Sequence, residues 1–232
     1  MSGKRQATSS PEDTLIERGV YSRKGETNSG GKKRRGFEKA APKLLFLICL
    51  MPFVYQLIHL AIGGFGAVPV RILILSTGDW TMRFLLASLA VRPLSAIFKY
   101  KRYVPFRRTL GLVALFYVCL HFMIYIGLDY LFQIKIVVQE ALSTPHILVG
   151  FGSFIVLVVL GITSLRRLIA RLGARRWRLL HRFAYIAAVG GIVHYLLKSK
   201  VVGFELIAYT SVLAVLLGYR IYEVVSTLVS TT

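Results

Sequence analysis

Long apolar segments constrain this chain more than any other feature. Six of them, each of ~16–20 residues, lie at about 43–62, 80–98, 109–128, 146–164, 181–198 and 204–222. A tilted helix needs about 20 apolar residues to cross ~30 Å of hydrocarbon. Since 55% of the 232 residues are hydrophobic, we predict an all-α fold, a polytopic membrane protein with a six-helix transmembrane bundle.

The charge balance agrees with this class. The chain has 30 Lys and Arg against 10 Asp and Glu, which in a soluble protein would suggest nucleic-acid binding. Here the positive charge lies between the apolar segments, so we expect the lipid bilayer as partner and no nucleic acid. Cys49 and Cys119 form no CxxC pair, which argues against a disulfide framework or thiolate cluster.

The positions of Lys and Arg predict the orientation. Positive residues crowd the N-terminal region and two loops, those around Lys99–Arg108 and Arg166–Arg178, whereas the alternate loops hold few. Both termini are therefore expected in the cytoplasm. The predicted domains are a disordered basic tail at 1–42, a six-span domain at 43–222 and a short C-terminal cytoplasmic tail at 223–232. Residues 130–142 are expected to form an amphipathic stretch at the outer interface.

Two of the five histidines, His121 and His194, lie at similar depth inside apolar segments. His121 lies twelve residues into the third segment from its cytoplasmic start, or ~18 Å, and His194 lies thirteen residues beyond His181, or ~19.5 Å. Ionisable residues inside membrane helices are functional candidates. Similar depth on two helices suits the two axial ligands of one haem iron. The competing interpretation for His121 is a polar residue hydrogen-bonded between helices.

The other histidines are less informative. His181, near the cytoplasmic edge, is interpreted either as a ligand of a second haem or other cofactor, or as an interfacial residue. Thirteen residues place His181 and His194 about 140° apart on an ideal helix, so they share a face only if the helix bends. His59 is expected to be a packed or water-facing residue, and the competing interpretation makes it an alternative partner of His194. His146 is expected to be an interfacial residue.

Arginines and small residues near these histidines leave alternatives open. Arg107, Arg108 and Arg182 are candidates to neutralise propionates or a phosphate on the cytoplasmic side, although the positive-inside rule also explains them. Small residues precede His194 in the fifth segment, namely Ala187, Ala188, Gly190 and Gly191. They suit either a flat cofactor or close packing of two helices.

Six stretches of the sequence resemble the MsrQ (also called YedZ) family of haem-binding membrane subunits, in the ferric-reductase-like transmembrane superfamily. They are LHFMIYIGLD at 120–129, RRWRLLHRFAYI at 175–186, GIVHYLLKSK at 191–200, GGFGAVP at 63–69, FLLASLAVRPL at 84–94 and RRTLGLVALFY at 107–117. The resemblance covers about residues 43–222. The N-terminal tail lies outside it.

The resemblance implies a fold, cofactors and partners. It implies six helices in a bacterial inner membrane that bind haem b, one or two per chain, with the family's haem-related histidines at His121, His181 and His194. It also implies FMN, for which no motif in this chain supplies a site. Electrons would pass from the quinone pool, or from a cytoplasmic flavin reductase, to the periplasmic molybdenum-containing subunit MsrP, which reduces methionine sulfoxide in oxidised proteins.

On this interpretation the chain carries electrons and performs no bond chemistry itself. One alternative is a ferric- or oxygen-reducing membrane reductase of the same superfamily that works with a separate flavin partner. Another is a proton-coupled transporter that uses the buried histidines. The transporter predicts a colourless protein, whereas a cytochrome is coloured.

Overall fold

The computed structural model describes residues 40–99, 104–199 and 201–229, and all regular structure within these ranges is helical. The chain divides into two compact units, Met1–Leu44 and Leu45–Thr232. The second unit carries the bundle. The predicted N-terminal tail lies, up to residue 39, outside the described residues. The all-α prediction is confirmed.

Eight helices follow one another along the described residues: α1 (Ala40–Ala61), α2 (Pro69–Ile97), α3 (Val104–Ile124), α4 (Ile134–Ser143), α5 (Pro145–Thr163), α6 (Arg166–Leu180), α7 (Phe183–Lys198) and α8 (Phe204–Val229). A π-helical turn, Tyr125–Asp129, extends α3. By length and composition α1, α2, α3, α5 and α8 are each able to cross a membrane. The pair α6–α7, bent by 46°, counts as a sixth span. The predicted multi-span bundle is confirmed.

The bundle has two ends, each of which we name after one of its residues. At one, Arg108 on α3 donates a hydrogen bond to the Ser164 carbonyl after α5 (2.7 Å); we name it the Arg108 end. The other, where α7 ends and α8 begins, is the Lys198 end. The largest buried cluster joins α2, α3, α5, α7 and α8 between the two ends, around residues such as Leu89 and Ala188.

The predicted start of the second span is wrong. The second apolar segment was expected to start at about residue 80, but α2 begins at Pro69, a residue favoured in the first helical turn. Two of the polar side chains there form hydrogen bonds within the bundle: Thr77 donates to the Leu73 carbonyl (2.7 Å), and Ser76 accepts from Gln56 on α1 (2.8 Å). Internal hydrogen bonds remove the cost of placing hydroxyls in an apolar interior.

The segment predicted as a loop between the fourth and fifth spans is also different. It forms α6, which is helical apart from Gly173, whose φ of 74° is open to glycine at no steric cost. Its arginines therefore lie along a helix that leads into α7. The last helix likewise continues beyond residue 222 to Val229.

The buried hydroxyl of Tyr117 on α3 interrupts the backbone hydrogen bonding of α1. The Tyr117 hydroxyl on α3 donates to the Cys49 carbonyl (3.0 Å) and accepts from the Phe53 amide (3.0 Å). Those two backbone groups stand four residues apart, as the partners of a normal helical hydrogen bond do. Tyr117 is fully buried. An inserted side chain of this kind interrupts a helix, and α1 shows a turn at Leu50.

Candidate cofactor site

A cavity of about 660 Å³ lies inside the bundle and extends to the Lys198 end, where Lys198 itself is part of the lining. Its walls come from α2, α3, α4, α5, α7 and α8, and most of them are apolar or aromatic. Three of the aromatic rings pack together, Phe122 on α3 with Phe151 and Phe154 on α5, at centroid distances of 4.5–6.2 Å. A concave apolar space with few polar groups is typical of a cofactor site.

His121 and His194 both line this cavity. Their ring centroids are 6.3 Å apart and their planes are nearly perpendicular, at 89°. A metal–imidazole bond is about 2.0–2.1 Å long, and a ring centre lies about 1.1 Å behind its nitrogen, so two imidazoles on opposite sides of one metal ion have centroids about 6.3 Å apart. The two histidines at similar depth thus meet at a separation that fits a shared metal.

Each imidazole is oriented by a backbone carbonyl of a neighbouring helix. His121 Nδ1 lies 2.9 Å from the Ile74 carbonyl oxygen on α2, and His194 Nδ1 lies 2.6 Å from the His146 carbonyl oxygen on α5. A carbonyl only accepts, so Nδ1 carries the proton in both rings. Nε2 then keeps its lone pair, the form that binds a metal.

Glycines make both approaches possible. Gly78 and Gly150 each lie four residues after the accepting carbonyl, on the same face of the helix. A Cβ at Gly150 would lie 2.6 Å from His194 Nδ1, and one at Gly78 would lie 3.3 Å from His121 Cε1. The same arrangement, an accepting carbonyl followed one turn later by a glycine, therefore occurs once for each imidazole.

The small residues on α7 divide between the two roles that the sequence left open. Ala187 and Gly191 line the cavity. Gly190 instead meets α5, since a Cβ there would overlap the Ser153 hydroxyl, and Ala188 is fully buried in the core. Cavity wall and helix packing thus use different residues of one stretch.

His181 lies elsewhere, at the Arg108 end, between α6 and α7. Its Nδ1–H donates to the Trp177 carbonyl (3.0 Å), and its Nε2 lies 3.1 Å from the Ser164 hydroxyl. The Trp177 ring packs against the imidazole at a centroid distance of 4.1 Å. Both ring nitrogens thus have protein partners, and His181 does not line the cavity of His121 and His194.

The three arginines proposed from the sequence also lie away from this cavity. Arg107, Arg108 and Arg182 are absent from its lining. Arg108 bonds the carbonyl of Ser164, the residue whose hydroxyl faces His181. His59 packs with Tyr55 and Phe65 outside the cavity.

His146 has a larger part than the sequence suggested. Besides its carbonyl bond to His194, its ring lines the cavity 5.7 Å from the His194 ring. Among the described residues, Lys198 is the one Lys or Arg in the cavity wall. Close by in the wall, Tyr130 donates to Glu140 (2.6 Å). That hydrogen bond to the carboxylate raises the pKa of the Tyr130 phenol above its usual value.

Fold and site together define a multi-pass helical membrane protein with an imidazole pair in an internal cavity. Comparison with known sequences shows to which family of membrane proteins the chain belongs. A family model described as "Ferric reductase like transmembrane component" matches residues 73–192.

Curated relatives match over most of the chain. The "Protein-methionine-sulfoxide reductase heme-binding subunit MsrQ" of Polaromonas naphthalenivorans (strain CJ2) is 37% identical over 195 residues, 83% of this chain and 89% of the relative. The protein of the same name from Rhodospirillum rubrum is 36% identical over 197 residues, 85% and 95% of the two chains. The "Magnetosome protein MamZ" of Magnetospirillum gryphiswaldense is 32% identical over 186 residues, 78% of this chain but 29% of its own length. The chain belongs to the ferric-reductase-like transmembrane family and, within it, to the MsrQ group.

Proposed function

We propose that this chain binds haem b between His121 and His194 and carries electrons through the membrane to a methionine sulfoxide reductase catalytic subunit. The main support is the imidazole pair: the ring centroids of His121 and His194 are 6.3 Å apart, which fits two axial ligands of one iron. Two imidazoles are also what a porphyrin iron, with four ring nitrogens of its own, takes from a protein. The names of the MsrQ relatives, heme-binding subunits, agree.

The residues of this chain have distinct tasks around the cofactor. Haem supplies the one-electron chemistry. The Ile74 and His146 carbonyls hold the two imidazoles in the metal-binding tautomer. The apolar wall, with Phe122 and Leu157 among its members, keeps water from the cofactor and so influences its reduction potential.

The distribution of positive charge supports an orientation of the chain in the membrane. Arginines concentrate on α6 and at the start of α3, so by the positive-inside rule we expect the Arg108 end in the cytoplasm and the Lys198 end in the periplasm of a bacterial inner membrane. The cavity extends to the Lys198 end, the side on which a periplasmic partner such as MsrP would dock. Electrons would enter from the quinone pool or a cytoplasmic flavin reductase. FMN rests on the family resemblance alone.

We propose one haem in this cavity. A second haem on His181 would have to replace the Ser164 hydroxyl at Nε2. The haem-to-protein ratio separates the two cases, because a His181-bound haem raises it from one to two.

Optical and haemochrome assays on the purified chain test the proposal. Wild type is expected to show a low-spin b-type spectrum, and His121→Ala and His194→Ala should lose it, because each removes one axial ligand. His59→Ala is the matched control, since His59 lies outside the cavity. Normal haem content and an unchanged spectrum in both ligand variants would refute the assignment.

A further inference from the structure

The charged groups of the cavity are unevenly distributed. The wall holds four Asp, Glu or Lys residues; one, Asp79, lies on α2, and the other three lie at the Lys198 end together with Tyr130 and His146, namely Asp129, Glu140 and Lys198. The remainder of the lining is mostly apolar. A cofactor with a polar edge would therefore place that edge at the Lys198 end.

Lys198 has the position that a ligand for this edge needs. It is the last residue of α7 and follows His194 by four residues, so it lies on the same helix face about 6 Å further toward the end. Its side chain lines the same cavity as His121, His146 and His194. Among the described residues no carboxylate lies within ion-pairing distance of its ammonium group.

The neighbouring acidic groups do not supply the missing partner. Glu140 already accepts the Tyr130 hydroxyl (2.6 Å). Asp129 also lines the cavity but does not lie within ion-pairing distance of Lys198. The ammonium group thus remains available to an anionic ligand in the cavity.

We propose that Lys198 binds a carboxylate of the cofactor, so that the acidic edge of the macrocycle faces the Lys198 end. This rests on the proposed function, since haem carries two propionates. An ammonium–carboxylate bond is charge-assisted and stronger than a neutral one. It also places the cofactor's acidic edge opposite to the orientation that Arg107, Arg108 and Arg182 would favour.

A comparison of two cofactors tests this contact directly. The full-length chain, produced in haem-depleted cells, is titrated with iron protoporphyrin IX and with its dimethyl ester, which lacks both carboxylates. Wild type is expected to prefer the free acid by roughly ten- to hundredfold. Lys198→Gln should reduce that preference to near unity, and Lys198→Arg should restore part of it, because Arg keeps the charge.

Lys135→Gln is the matched control: Lys135 lies on α4 outside the cavity wall, so this variant should keep the wild-type preference. Equal affinity of wild type for acid and ester would overturn the inference, and so would a preference that survives Lys198→Gln or disappears in Arg182→Gln. Failure of wild type to bind either compound with a bis-imidazole spectrum would instead reject the proposed function itself, and the inference with it.

Discussion

Gly150→Ala is the most informative substitution in this bundle, because a single methyl group would strike one imidazole. The added Cβ would lie 2.6 Å from His194 Nδ1, 2.9 Å from Cε1 and 3.1 Å from Cγ. Ordinary contact begins near 3.4 Å, so the ring must move by about 0.8 Å. That movement would disturb the hydrogen bond from His194 Nδ1 to the His146 carbonyl and would change the distance between the His194 and His121 rings.

We expect haem affinity to fall by roughly 10–100-fold, the usual loss when a group that orients a metal ligand is disturbed. The helix itself should gain up to about 1 kcal/mol from the glycine replacement, so the protein should remain folded while it loses haem. The assay is haem titration of the purified apo chain, followed by a thermal melt.

Gly152→Ala is the matched control. It lies on the same helix, and a Cβ there meets nothing within 4 Å, so it should gain the same helix stability and bind haem as wild type does. Gly78→Ala should be intermediate, because its nearest contacts are 3.3 and 3.4 Å. Wild-type affinity in Gly150→Ala would refute the view that this glycine sets the position of His194.

Two further predictions concern Tyr117 and His181. Tyr117→Phe removes the hydroxyl that bonds two backbone groups of α1, so it should lower the free energy of unfolding by about 1–3 kcal/mol. A thermal melt measures this loss, with Tyr55→Phe as the control because Tyr55 is an exposed tyrosine of α1. Equal melting temperatures of the two variants would contradict the reasoning. His181→Ala should leave the haem-to-protein ratio and the b-type spectrum unchanged, because His181 does not line the cavity; a fall in the ratio from two to one would show a second haem there.

The sequence predicted the bundle because lipid makes the apolar pattern simple to interpret: a spanning segment satisfies its backbone internally and shows apolar side chains outward. It also predicted that His121 and His194 lie at one depth, since the helical rise is constant. The start of α2 was missed because Thr77 and its polar neighbours hide their hydrogen bonds inside the bundle.

The orienting groups of the site were not predictable in the same way. The Ile74 and His146 carbonyls belong to backbone that every residue has, and only packing selects them. Gly78 and Gly150 were visible as glycines within or beside apolar segments, but a lone sequence does not show which side chain fills the space that a missing Cβ leaves. Lys198 appeared only as a flanking charge.

The carbonyl that orients each histidine belongs to a different helix from the histidine, and this has a consequence for biogenesis. His121 with Ile74 is complete once α2 and α3 pair, and His194 with His146 once α5 and α7 pair, and these are the two most extensively packed helix pairs of the bundle. Each helix pair thus supplies one oriented histidine. Because α5 and α7 follow α2 and α3 in the chain, the second histidine gains its orienting carbonyl only after the later pair has been inserted. On the proposed function, we therefore expect haem to bind late in assembly and to stabilise a bundle in which most helices are already in place.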